Sequence, residues 1–180
     1  MNRIAKLLGA YEAQLGLAWD NGLHGAERTW FAVYDPADER RLRAMTGEFE
    51  LATMRSGRKW KMFHTATVFE KWLADSEYRE AYFEDPEFLV MQYSEFELCL
   101  LQQLKVVCEG TGEETVFAIV GIGSLFGFVR VSNVVGGLAD SVRGRLLVFF
   151  PGSVEADTYR LLNARDGWNY RSVVISADRG

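Results

Sequence analysis

Two apolar, β-rich runs constrain this chain more than any other feature: Thr115-Val-Phe-Ala-Ile-Val120 and Arg145-Leu-Leu-Val-Phe-Phe150. Successive side chains of a strand point to opposite faces, so a strand with one wet face alternates polar and apolar residues. Neither run alternates. Each is therefore a strand that needs cover on both faces, the position of a central strand in a parallel sheet. The neighbouring segments supply that cover. Residues 1–20 carry Ile4, Leu7, Leu8, Tyr11 and Leu15 at helical spacing, with Glu12 and Gln14 between them. That pattern predicts an amphipathic helix and not a secretion signal.

Thr29-Trp-Phe-Ala-Val-Tyr34 reads as another buried strand, closed by Asp35-Pro36. Asp35 can cap, and Pro36 can open, a helix over residues 37–54 with Leu42, Met45, Phe49 and Ala52 on its inner face. Lys59-Trp-Lys-Met-Phe-His64 alternates, which predicts a strand with one wet face. Helices are expected over 67–80, 87–107 and 124–140, a short helix over 156–162, and a last strand over 170–176. Strands alternating with helices imply right-handed crossovers. The expected fold is α/β: one three-layer domain spanning 1–180, with a mainly parallel sheet of about five strands and helices on both faces.

Composition narrows the function. Hydrophobic residues make up 48% of the 180, enough for a full core without metal or disulfide staples. The net charge is −5, from 25 acidic against 20 basic residues. The basic groups Arg40-Arg41-Arg43 and Arg55-Arg58-Lys59-Lys61 read as solvated faces, so direct DNA binding is not expected. Cys99 and Cys108 share one helical run, roughly 13 Å apart along it, too far for a disulfide. No Cys/His pair has zinc-ligand spacing, and no apolar run is long enough to span a membrane. A cytoplasmic protein is expected.

The most chemical-looking motif is Gly121-Ile-Gly123-Ser-Leu-Phe-Gly127, after the best strand. Glycines there could let backbone amides approach a phosphate, which makes Gly121, Gly123, Ser124 and Gly127 the ligand-binding candidates of a small-ligand or nucleotide-binding protein. The spacing is not that of a dinucleotide fingerprint, and no Walker motif occurs. A tight turn with positive φ angles explains the same glycines. His24, His64, Asp35 and Ser124 form no catalytic pattern. No catalytic residue, cofactor or metal is therefore assigned. Glu84-Asp85 and Asp75-Glu77 read as solvated turn and helix-end charges, and Trp30, Trp60, Trp72 and Trp168 as core anchors.

The C-terminal third carries a family resemblance. A strand leading into Val-Gly-Ile-Gly-Ser-Leu-Phe-Gly-Phe-Val-Arg-Val-Ser-Asn-Val-Val-Gly-Gly-Leu (residues 120–138), then Leu-Leu-Val-Phe-Phe-Pro-Gly (146–152), then Asn-Tyr-Arg (169–171), resembles the BrxB family of BREX anti-phage defence systems. The likeness extends more loosely through Trp-Phe-Ala-Val-Tyr-Asp-Pro-Ala-Asp-Glu-Arg-Arg-Leu-Arg (30–43). The chain departs from the pattern at Gly127, where a proline is expected, and at Asn169, where a tyrosine is expected. The resemblance implies a non-enzymatic component acting beside a methyltransferase, an ATPase and a PglZ-type protein, the last being the expected direct partner.

The same stretch suggests a docking surface. On a helix, residues 125 and 128 share a face while 126 points about 100° away. Leu125, Phe126 and Phe128 cannot then all face the core. At least one large apolar side chain, flanked by Arg130, is expected at the surface as an interface anchor.

Overall fold

Five parallel strands run side by side in the order β2-β3-β4-β1-β7. They are β1 (Thr29–Tyr34), β2 (Lys59–His64), β3 (Thr115–Val120), β4 (Arg145–Glu155) and β7 (Val173–Ser176). The computed structural model describes residues 2–168 and 171–178, with residues 167 and 168 as backbone only. Tyr170 lies outside the described residues, and the last strand begins at Val173, not at residue 170.

Strict alternation in β3 and β4 divides the interior into two cores. Phe117 and Ile119, with Leu146, Val148 and Phe150, face one side; Val116, Ala118 and Val120, with Leu147 and Phe149, face the other. All are essentially inaccessible to solvent. This is the two-sided burial that the unbroken apolar runs demand. Helices α1 (Arg3–Leu15) and α2 (Glu39–Arg55) cover one face through Ile4, Leu7, Tyr11, Leu42 and Phe49. The other face is covered by α3 (Val68–Asp75), α6 (Tyr93–Glu109) and α7 (Val131–Leu138). Between α3 and α6 lie two short helices, α4 (Arg79–Glu84) and α5 (Pro86–Val90).

Three expectations are corrected. The helix expected over 156–162 is instead a hairpin: β4 runs on through Pro151 and pairs antiparallel with β5 (Thr158–Leu161), which pairs with β6 (Ala164–Trp168). Ala156 and Asp157 both take positive φ, 44° and 67°, as a two-residue turn between twisted strands requires. Gly152 makes the pairing possible, since a Cβ there would collide with the Arg160 carbonyl oxygen.

The helix expected over 124–140 starts only at Val131. A 3-10 turn (Ile122–Leu125) and a loop through Gly127 at φ 85° precede it. Its N-terminus is fixed from afar: the Asp166 carboxylate accepts from the amides of Val131 at 2.7 Å and Ser132 at 2.9 Å.

The two helices expected over 67–80 and 87–107 are four. Ser76 leaves helical geometry, and its hydroxyl accepts from the Tyr78 amide, an alternative to continuing the helix. Asp85 caps the Glu87 amide and Pro86 opens α5, which ends before α6 begins. Helix α6 carries both Cys99 and Cys108, and both are free thiols.

Candidate interaction surface

The carboxyl ends of the parallel strands gather the sequence candidates at two places. At the ends of β2 and β3 the glycine turn is held by its own hydrogen bonds. Gly121 takes a left-handed φ of 81°, and a Cβ there would lie 3.1 Å from the His64 ring. The Ser124 hydroxyl is within 2.8 Å of the Gly121 carbonyl and 3.1 Å of the Thr65 carbonyl. The Ser124 amide donates to Gly121, the Phe126 amide to Gly123 and the Phe128 amide to Leu125. Gly123 packs toward Pro151, with room for a Cβ only 3.2 Å from its ring. The amides are thus engaged within the turn, and the Ser124 hydroxyl ties it to Thr65 in the loop that follows β2.

The second place lies between the ends of β1 and β4, where the chain's connections leave to opposite faces of the sheet, the usual ligand crevice of such folds. A cleft of about 570 Å³ opens there, lined by Tyr34, Asp35, Gly152, Ser153 and Leu162. Asp35 caps the Ala37 amide and pairs with Arg3 at 2.9 Å. The amide, then Arg3, hold its carboxyl below the ordinary value. Arg3 also pairs with Asp38 at 2.8 Å. Burial, reinforced by the Glu39 carboxylate it donates to, holds the Tyr34 phenol far above its usual range. The glycine turn is not part of this cleft.

Of the four expected interface residues, the structure separates the roles by burial. Leu125 is fully buried. Phe128 stacks on Phe69 with ring centroids 4.1 Å apart and meets Tyr93 edge-on at 5.1 Å. Phe126 remains 40% exposed. Arg130 is exposed and, among the described residues, has no ion-pair partner. A 3-10 turn and loop, not a helix, produce this division. A groove of about 360 Å³ lies between that loop and the hairpin, lined by Phe126, Arg130, Leu161, Ala164 and Arg165.

The basic groups are dispersed into ion pairs. Arg41 pairs with Asp38, Arg43 with Glu39, Arg55 with Glu12 and Arg58 with Glu114. Arg58 and Arg145 also lie over the Trp19 ring, 4.3 and 4.2 Å from its centre. His24 opens a 3-10 turn (Gly25–Arg28), and its own amide donates to Glu27. Trp30 is buried; Trp60 and Trp72 pack half-buried against the cores, and the Trp168 side chain lies outside the described residues.

One feature escaped the sequence reading. A groove of about 810 Å³ opens between edge strand β2 and helices α3 to α6, lined by Met62, His64, Trp72, Tyr82, Phe88 and Gln92. Its residues lie far apart in the chain, and only the broken helices bring them together. Among the described residues, no three His, Cys, Asp or Glu side chains converge to hold a metal ion. No helix among them is long and apolar enough to cross a membrane.

The architecture is that of a parallel α/β protein whose carboxyl-edge loop presents an aromatic and an arginine to solvent. A family model described as BREX protein BrxB matches residues 61–175, more than half of the chain. The chain belongs to the BrxB family, and membership implies a role related to BREX defence. No curated protein and no solved structure matches it.

Proposed function

We propose that this BrxB-family chain is a non-catalytic interaction component of a BREX phage-defence complex, acting in the cytoplasm and docking a PglZ-type protein. The observation that carries the reading is the Phe126 loop. Leu125 and Phe128 anchor it in the core, while Phe126 stays exposed and lines the same groove as Arg130, which has no ion-pair partner among the described residues. An aromatic on an anchored loop, sharing a groove with an arginine, is the composition of interface hot spots, where a few residues carry most of the affinity. The anchored loop matters, because a backbone already held in place by Leu125 and Phe128 loses little freedom on binding. DNA contacts would run through partners, since four arginines of the basic groups are spent on neighbouring carboxylates.

The test is copurification of the tagged chain with each protein encoded beside it. Retention of the PglZ-type protein by the wild type and its loss with Phe126→Ala, at unchanged melting temperature, is the expected result. Undiminished retention by the variant would remove this surface from the contact.

A further inference from the structure

Residues 75–95 hold seven carboxylates, Asp75, Glu77, Glu80, Glu84, Asp85, Glu87 and Glu95, against one basic residue, Arg79. That excess is larger than the whole chain's net charge of −5, so the acidity of the protein is concentrated here. All seven are exposed, and none forms an ion pair among the described residues. The same segment exposes large apolar side chains: Tyr78 at 60%, Phe83 at 75% and Met91 at 72%, with Val90 also exposed. Solvated acidic helices do not need such side chains, and several large exposed ones in one short segment mark a contact surface.

The frame beneath is firm. Tyr82 is buried, with the Trp72 ring 6.5 Å away on one side and the Phe88 ring 5.4 Å away on the other. This aromatic row holds the short helices α4 and α5 against α3 and forms a wall of the 810 Å³ groove beside β2. Helices of six and five residues have little stability of their own, so their position depends on that row.

We propose that this acidic, apolar-studded surface docks a basic segment of a partner protein, one that carries lysines or arginines together with apolar anchors. The charge selects among occupants. Nucleic acid and anionic lipid present phosphates, which seven exposed carboxylates repel. A second copy related by a two-fold axis would set the same carboxylates against each other. A basic protein segment satisfies the carboxylates while its apolar side chains cover Phe83 and Met91. The proposal rests on the interaction-component reading but uses a surface distinct from the Phe126 loop.

The experiment measures the affinity of the full chain for each separately purified protein of its own BREX system, at 50 and 300 mM NaCl. Expected is binding of one component that weakens at the higher salt. Charge reversal by Glu80→Lys, Glu84→Lys and Glu87→Lys together should weaken it at least tenfold. So should the uncharged change Phe83→Ser with Met91→Ser. The control pair Glu48→Lys and Glu50→Lys, exposed on α2, should alter it less than twofold. Binding that survives both variant sets overturns this surface and leaves the interaction reading standing. An equal loss in the control overturns it too, because net charge alone would then explain the effect. Wild-type protein that binds no component overturns both readings. A dimer of the chain, broken by the reversal in sedimentation, would show a second copy as the occupant and overturn the choice of partner.

Discussion

The Phe128 ring lies stacked on Phe69, centroids 4.1 Å apart, so the loop after β3 is pinned to α3 by its second phenylalanine and turns its first one outward. The two aromatics are two residues apart and have opposite jobs. Phe128→Ala should therefore lower stability by about 3 kcal/mol, the range for removing a packed aromatic. Phe126→Ala should change it by less than about 0.5 kcal/mol, as for a surface substitution. Urea unfolding of both variants checks this. Equal losses would show that Phe126 is held as firmly as Phe128.

Asp166 reaches across from β6 to cap the amides at the start of α7, at 2.7 and 2.9 Å. Asp166→Ala should cost about 1–2 kcal/mol, the upper part of the range for losing a helix cap. Asp166→Asn keeps an acceptor and should cost less. Amide exchange at Val131 and Ser132 offers the direct readout, faster in the alanine variant than in the asparagine one. Unchanged exchange would mean that the helix start is fixed by packing alone.

Burial lifts the Cys108 thiol from 9.0 to about 11, whereas Cys99 is only partly buried. At pH 8 an alkylating reagent should modify Cys99 and leave Cys108 untouched until the protein unfolds, because the thiolate is the reactive form. The sign for stability follows from the same shift. Below pH 9 the thiol is protonated in both states and contributes fully; from about 9 to 11 only the unfolded state ionises, so stability falls. Mass spectrometry after timed alkylation measures the first effect. Rapid Cys108 modification in the native state would contradict its burial.

Phe149 faces α2, 4.9 Å from the Phe49 ring, and is fully buried in the core on that side of the sheet. Phe149→Asp should cost more than about 4 kcal/mol and leave no cooperative melt. A melting curve like the wild type's would break the account of the central sheet.

The two-sided burial of β3 and β4 was legible because five consecutive apolar residues, Val116–Val120 and Leu146–Phe150, leave a strand no wet face. The Asp35-Pro36 helix start was legible as well, since cap and proline act within a few residues. What failed to show was decided at a distance or by uncommon local geometry. The α7 start depends on Asp166, 35 residues further along the chain. The β4–β5 turn places Ala156 and Asp157 at positive φ without the Asn-Gly pair that usually announces it. At the candidate surface, the sequence named Leu125, Phe126, Phe128 and Arg130 for a helix that is not there; the turn and loop that replace it leave Phe126 and Arg130 exposed and pack Leu125 and Phe128 inward. The large groove was illegible because Met62, Trp72, Tyr82 and Phe88 come from four elements whose breaks at Ser76 and Asp85 decide their meeting.

The central claim is that this chain works by holding a BREX partner, and quantitative mass spectrometry of the tagged protein, purified from cells carrying its own BREX genes, tests it most directly. The account predicts near-stoichiometric enrichment of one BREX component, a PglZ-type protein, by the wild type and at least a tenfold drop with Phe126→Ala. Enrichment of no BREX component by well-folded wild-type protein would contradict it.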